Sequence, residues 1–575
     1  MLKFTIYSPI AETAPMRRQP HLLKTTAPVL LALLSTQAYA ATAPDAGQTL
    51  RDLRPIPAPS AQTSPALTLP TEAPSSERSS AGSDLRVKVG VLRYRGNTVF
   101  DHVVLDRVVG KLSPELSLAE LRAATQRITT FYRSRGYLLA RAYLPEQDIS
   151  SGTVTIAILE GRLDHINLNN QSKLSTPQLQ ALLDAQQPSD QPVRSDRANR
   201  ALLLLQALPG VGQVQGSLHP SATVGSTELN VDVTAGPWIS GYVGLDNGGN
   251  RFTGADRLNG GVNLNNLTGF GDQLSLQAVV TNQDRMDYGR IAWDAPVGTE
   301  GLRLGAAFSN LRYHLGDNFA RLDAHGIART ESVYADLAVI AAPDTHLNLN
   351  ATLENRDMTD ITGLVHLHNK RNIHVAVINV SGDFRDALLW SPAVNAWRVT
   401  TTVGDLDLRT KNVAAIDHIS AQTAGNYTKV VLSATREQIL PWGLSVYVGS
   451  TLQRSEKNLD SSEQFTLGGP TGIRAYPVGE APGDQGWVSN IELRYRVMPE
   501  LQLVAFHDLG AVEANRYTYI HQQNGTHLSG SGIGANATWR SFSLKTSLAW
   551  RGGSDAPTSD NDRRPRVFAQ GSYTF

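Results

Sequence analysis

The chain has 575 residues, 52 basic and 52 acidic side chains, 48 glycines and no cysteine. At about 150 residues per domain it has room for several units, and without surplus Lys or Arg it is no general binder of nucleic-acid phosphates. The lack of Cys excludes disulfide scaffolds, thiol catalysis and Cys-ligated zinc. Its mean hydropathy of −0.22 suggests a soluble protein, a reading that the strand pattern below overturns.

In chain order, Arg17, Arg18 and Lys24 precede a short apolar run, Ala27 to Leu34, and then Ala38-Tyr39-Ala40. A basic start, a brief apolar core and an A-x-A site predict a secretory signal peptide over 1–40, too short to span a membrane as a helix. Residues 41–84 hold seven prolines and no apolar period, so they read as an extended linker. A short helix near Gly47–Arg54 is expected before the proline run stops it.

Residues 85–236 alternate strand and helix patterns. Leu85–Tyr94 alternates as one strand. Ser117 and Glu120 form a capping box ahead of Leu118, Leu121, Ala124, Ile128 and Phe131, which predicts a helix ending at Gly136. Leu138–Tyr143 and Val154–Leu159 read as strands. A similar order returns after 162, with helices near Pro177–Leu183 and Asp196–Leu208. Two consecutive units of this kind predict tandem small α+β domains.

From Trp238 onward only period-2 segments recur. Leu274, Leu276, Ala278 and Val280 face one way, as do Phe542, Leu544, Leu548 and Trp550. The final strand puts Val567, Ala569, Gly571, Tyr573 and Phe575 on one side, with Arg566, Gln570 and Ser572 on the other. An aromatic carboxyl end suits the wet rim of a membrane barrel. Some 340 residues shared among sixteen strands leaves about 21 for each strand and connection, ample for a tilted span of roughly 10.

Five segments then resemble one family. They are 136–161 (GYLLARAYLPEQDISSGTVTIAILEG), 202–211 (LLLLQALPGV), 242–272, 465–476 (FTLGGPTGIRAY) and Phe506-His507-Asp508-Leu509-Gly510. In this order they resemble the two-partner secretion transporters, the TpsB or hemolysin-activator (ShlB/FhaC/HecB) family within the BamA-like superfamily. The resemblance implies an α+β plus all-β architecture. A polypeptide-transport-associated (POTRA) domain over 85–162 and a second over 163–236 would precede a 16-stranded antiparallel transmembrane β-barrel over 237–575. It further implies an outer-membrane location with periplasmic POTRA domains, and export of one large exoprotein through the barrel. The partners implied are that exoprotein, through its N-terminal two-partner secretion domain, the barrel assembly machinery and outer-membrane lipid.

The same resemblance implies the site residues. An inward loop carries Gly468, Gly469, Ile473 and Tyr476, and Arg474 at its tip pairs with Asp508 of the barrel strand that also holds Phe506 and Gly510. Ala475 stands where glycine is usual. Leu144, Pro145, Gln147 and Asp148 are candidates to touch the client, and Tyr573 and Phe575 form a C-terminal assembly signal. An N-terminal helix would plug the pore.

No cofactor, metal or catalytic residue is expected. The chain has no G-x-x-x-x-G-K-[ST] loop for a nucleotide. His366 and His368 read as an i, i+2 pair on a strand, with His374 beyond, but no carboxylate or Cys completes a metal shell. The alternative function is a BamA-like factor that inserts other barrels. Such factors usually carry more POTRA domains.

Overall fold

The computed structural model describes residues 43–53, 67–68, 86–111, 113–223, 225–520 and 523–575. The expected signal peptide lies outside these residues, as does most of the linker.

The first α+β unit contains helices His102–Val109 and Leu118–Ser134 against strands Val91–Arg95, Thr153–Leu159 and Arg141–Tyr143, in that sheet order. Asp101 caps the first helix by accepting from the Val104 N–H. In the second, Glu120 N–H donates to the Ser117 hydroxyl and Ser117 N–H to the Glu120 carboxylate, the reciprocal capping box. The single strand expected over Leu85–Tyr94 is instead two, Arg86–Lys88 and Val91–Arg95. The chain bends at Gly90, whose N–H donates to Gly152, and Val91 then opens a parallel ladder with Thr153. Leu105, Ile128, Tyr132 and Ile156 fill the core. Tyr132 donates to Glu160 at 2.9 Å, and Glu160 also accepts from the Thr98 and Val99 N–H groups.

The second α+β unit runs Arg162–Asn170, Thr176–Gln186, Ser195–Gln206, Val211–Pro220 and Ser226–Ala235. Its sheet places 226–235 between the other two strands, and Leu67–Thr68 of the linker adds in parallel to the outer edge of 211–220. Ser195 N–H donates to Gly136 and Val193 N–H to Gly161, tying the two units together.

Sixteen strands among the described residues, from Ile239–Asp246 to Arg566–Thr574, close into an antiparallel barrel. The side chains alternate across the wall. Val567 and Tyr573 are exposed outward at 47% and 42%, while Arg566 and Phe568 are buried within. Outward Leu544 and Leu548 likewise flank Ser547, buried inside. An apolar exterior around a polar lumen averages to the unremarkable composition noted above. The barrel closes where 239–246 pairs with 566–574, from Tyr242↔Thr574 to Asp246↔Gln570.

The second unit sits on one end of the barrel. Arg200 donates to the carbonyls of Glu300, Ala338 and Val339, Gln186 to Thr299, and Ser175 N–H to Gly269. Gly269 and Gly271 take positive φ in this docking turn.

Candidate functional site

The lumen is filled from two directions. Between strands Leu444–Ser455 and Gln485–Met498 the chain folds inward over 456–484. Its stem is a short pairing of Phe465–Thr466 with Pro482–Gly483. Ile473 N–H donates to Leu467 at 2.7 Å and Gly469 N–H to Tyr476 at 3.1 Å, which closes the tip on itself. Gly469 has φ +112, and a Cβ on Gly468 would collide with the Pro477 carbonyl, so both positions demand glycine.

Arg474 projects from this tip into a buried cage. Its Nε and Nη2 donate to Asp508 at 2.9 and 2.7 Å, its Nη1 to Glu492 at 2.7 Å, and its own N–H to Asp508 at 3.0 Å. Asn490 donates to the same Asp508 carboxylate and to the Gly472 carbonyl. The guanidinium lies 3.5 Å from the centroid of the Phe506 ring. A planar fork held by two carboxylates and stacked on an aromatic face has its orientation fixed as well as its charge. Gly532 leaves room for the Phe506 ring, and Gly510 lies against Leu467 of the loop. Ile473 and Tyr476 are buried in the same apolar cluster.

Ala475 takes no left-handed conformation. Its methyl group packs against Gly530, where a Cβ would collide with it. The alanine is thus accommodated by a missing side chain on the facing wall.

The second obstruction is the helix Ala46–Leu53. Asp45 caps it by accepting from Gln48 N–H, and also meets Arg371 at 2.9 Å and the Ser461 hydroxyl at 2.8 Å. Arg371 further faces Asp360 and Asp460, and Asp360 accepts from Ala46 N–H and the Tyr313 hydroxyl. Gly47 lies so close to Ser461 and Arg371 that no side chain fits. Arg51 donates to the Ser461 carbonyl, so the helix grips both the wall and the inward loop. Glu463 of that loop pairs with Arg356 and Lys429 of the wall. A cavity of about 470 Å³ remains between helix, loop and wall, lined in part by Arg51, Arg257 and Lys545.

Glu480, at the base of the loop, accepts from the N–H and hydroxyl groups of both Thr558 and Ser559. This ties the inward loop to the connection before the last strand. Glu492, Asn490, Glu480 and the Asp45–Arg371 network were not singled out from the sequence. Lumen-facing parity on strand 485–498 was the available signal for Glu492.

The remaining candidates lie elsewhere. Gln147 spends its amide on the backbone of Thr155, accepting from its N–H and donating to its carbonyl. Asp148 accepts from Ser150 N–H, which holds its carboxyl below the usual range. Leu144 packs on the first unit's core and Pro145 is half-buried. Tyr573 packs against Phe542 with ring centroids 4.8 Å apart and planes tilted by 49°, and Phe575 exchanges backbone hydrogen bonds with Gly241 at the seam. His366 sits in a turn at φ 53 and His368 on the next strand, so they do not share a strand face.

The family model described as haemolysin secretion/activation protein ShlB/FhaC/HecB matches residues 225–537, and the ShlB-type POTRA domain matches 88–161. The chain belongs to this family. It is 30% identical over 392 residues, 68% of each chain, to the heme/hemopexin transporter protein HuxB of Haemophilus influenzae. It is 24% identical over 475 residues, 76% of this chain and 77% of the relative, to the outer membrane transporter CdiB of Dickeya dadantii. In fold it is similar to CdiB from Escherichia coli, with a TM-score of 0.71 at 19% identity over 88% of this chain and 93% of that one. CdiB from Acinetobacter baumannii gives 0.63 at 17%, covering 95% and 97%. This family member is therefore an outer-membrane exoprotein transporter, with a periplasmic POTRA domain before a closed 16-stranded barrel.

Proposed function

We propose that the chain exports a large exoprotein in extended form through its own lumen, and that helix 46–53 and the Arg474-anchored loop hold that lumen closed at rest. The observation that carries this is the double occupancy of the lumen by a helix and a loop held through side-chain contacts, polar and apolar, which can be exchanged without opening the hydrogen-bonded wall. The domain plan is a signal peptide over 1–40, a linker over 41–84, POTRA domains over 85–162 and 163–236, and the barrel over 237–575. The second POTRA assignment rests on the element order of 162–235, which repeats strand, helices and strands against one leucine-rich core.

An edge strand offers unpaired N–H and C=O groups, so an extended client can add to it with little regard to its side chains. Leu67–Thr68 pairs with the edge of 211–220 in this way, which supports strand addition as the mode of capture once that segment gives up the edge. Backbone pairing there is favoured over contact through Gln147 and Asp148, whose polar atoms are engaged locally. Tyr573 and Phe575 serve as the signal read by the barrel assembly machinery, and the outward apolar face meets lipid. No step makes or breaks a covalent bond, so no catalytic residue is assigned.

The test is co-expression with candidate exoproteins of the same genome. One such protein should reach the medium only with the wild-type chain, and not with a chain lacking 86–236. Export independent of 86–236 would overturn client capture by these units. Rescue of general barrel insertion, without export of any exoprotein, would favour the assembly-factor alternative.

A further inference from the structure

At the barrel end opposite the docked α+β unit, strands Leu302–His314 and Ala324–Ala342 are joined by residues 315–323. His314 and His325 lie directly opposite each other in the ladder. Their rings stack with centroids 6.0 Å apart and planes 17° from parallel. Asp323 closes the loop in a left-handed conformation, φ 47, and its carboxylate lies 3.8 Å from His325 Nδ1. One donor atom from each of His314, Asp323 and His325 lies within 4.8 Å of the others. We propose that these three residues bind a divalent transition-metal ion of the zinc type at the external rim.

The donor chemistry selects the ion. Two imidazoles and one carboxylate suit zinc and its borderline neighbours, whereas magnesium and calcium prefer oxygen-only shells. His325 Nδ1 lies 3.0 Å from the Asp323 carbonyl oxygen. Donation of Nδ1–H to that oxygen leaves the lone pair on Nε2 as the atom offered to a metal. Thirteen residues at about 3.3 Å rise and a tilt of roughly 40° lift His314 about 33 Å above the Gly301 turn, beyond an apolar band about 25 Å tall. The site therefore meets water, which can complete a tetrahedral shell. His314 and His325 are eleven positions apart, so only the hairpin brings them together. Bound metal would clamp the loop 315–323, which also pairs through Asp317 with Arg285 and Arg251 of neighbouring connections.

The experiment is a Zn²⁺ titration of the tag-free chain in detergent against a competing chromophoric chelator. The wild type should bind one more Zn²⁺ per chain than His314→Gln/His325→Gln, and His314→Gln alone should weaken that site at least tenfold. Zn²⁺ should also slow proteolysis within 315–323 in the wild type only. Equal stoichiometry and affinity in the wild type and both variants would overturn the site, as would displacement of Zn²⁺ by equimolar Mg²⁺.

Discussion

Replacing Asp508 with Asn tests the loop anchor without changing its size. Asp508 accepts four hydrogen bonds, three from Arg474 at 2.7–3.0 Å and one from Asn490 at 2.8 Å. An amide keeps one oxygen but turns an N–H₂ group toward the guanidinium. Breaking a buried ion pair from one side costs about 3–5 kcal/mol. Glu492 still accepts from Arg474, which places the loss near the lower end, about 3 kcal/mol. That is roughly a 150-fold shift from docked to undocked loop, at about 1.4 kcal/mol per factor of ten. The assay is limited proteolysis of residues 456–484 in the purified, folded barrel. Cleavage that follows the open population should rise by about two orders of magnitude. Glu492→Gln should raise it less. Unchanged cleavage in Asp508→Asn, with the barrel intact, would refute the anchoring role.

Deleting 43–53 removes Asp45 and leaves Arg371 with Asp360 and Asp460, so the barrel should fold and its single-channel conductance in planar bilayers should increase; unchanged conductance removes the plugging role. Gly530→Val should displace Ala475 and release the loop to protease, with Ala475→Gly in the same chain restoring protection. In the first α+β unit, the Ser117 N–H holds the Glu120 carboxyl below its ordinary value. A depressed folded-state pKa gives stability that is present above about 4.3 and lost as pH falls through the folded value. Hydrogen-exchange protection of the first turn of 118–134 should therefore drop between pH 6 and pH 3, and this drop should shrink in Glu120→Gln.

Local signals carried far where they were two-sided. The capping box foretold helix 118–134, because both its bonds lie within four residues. Alternation foretold which faces of the last two strands point outward from the barrel, since a strand has only two. Helix 102–109 is not legible in the sequence because HVVLDRVV is rich in β-branched residues, which favour a strand. There the Asp101 cap and burial of Leu105 against Ile128 override propensity. Gly90 breaks an apparently continuous alternation because its N–H pairs with Gly152, far along the chain.

Within the lumen, the family's motifs pointed to Arg474 and Asp508 by name. Glu492 and the cluster around Arg371 carry no local pattern. Asp45 and Arg371 meet only because residues 43–53 thread into a barrel closed by strands hundreds of residues later.

Loop anchoring can serve export or merely barrel stability, and one substitution separates the two. The direct measurement is exoprotein in the medium for wild type and Arg474→Ala, at matched amounts of folded barrel in the outer membrane. The structure predicts that Arg474→Ala keeps the barrel and loses export. Normal export from equally folded Arg474→Ala would contradict it.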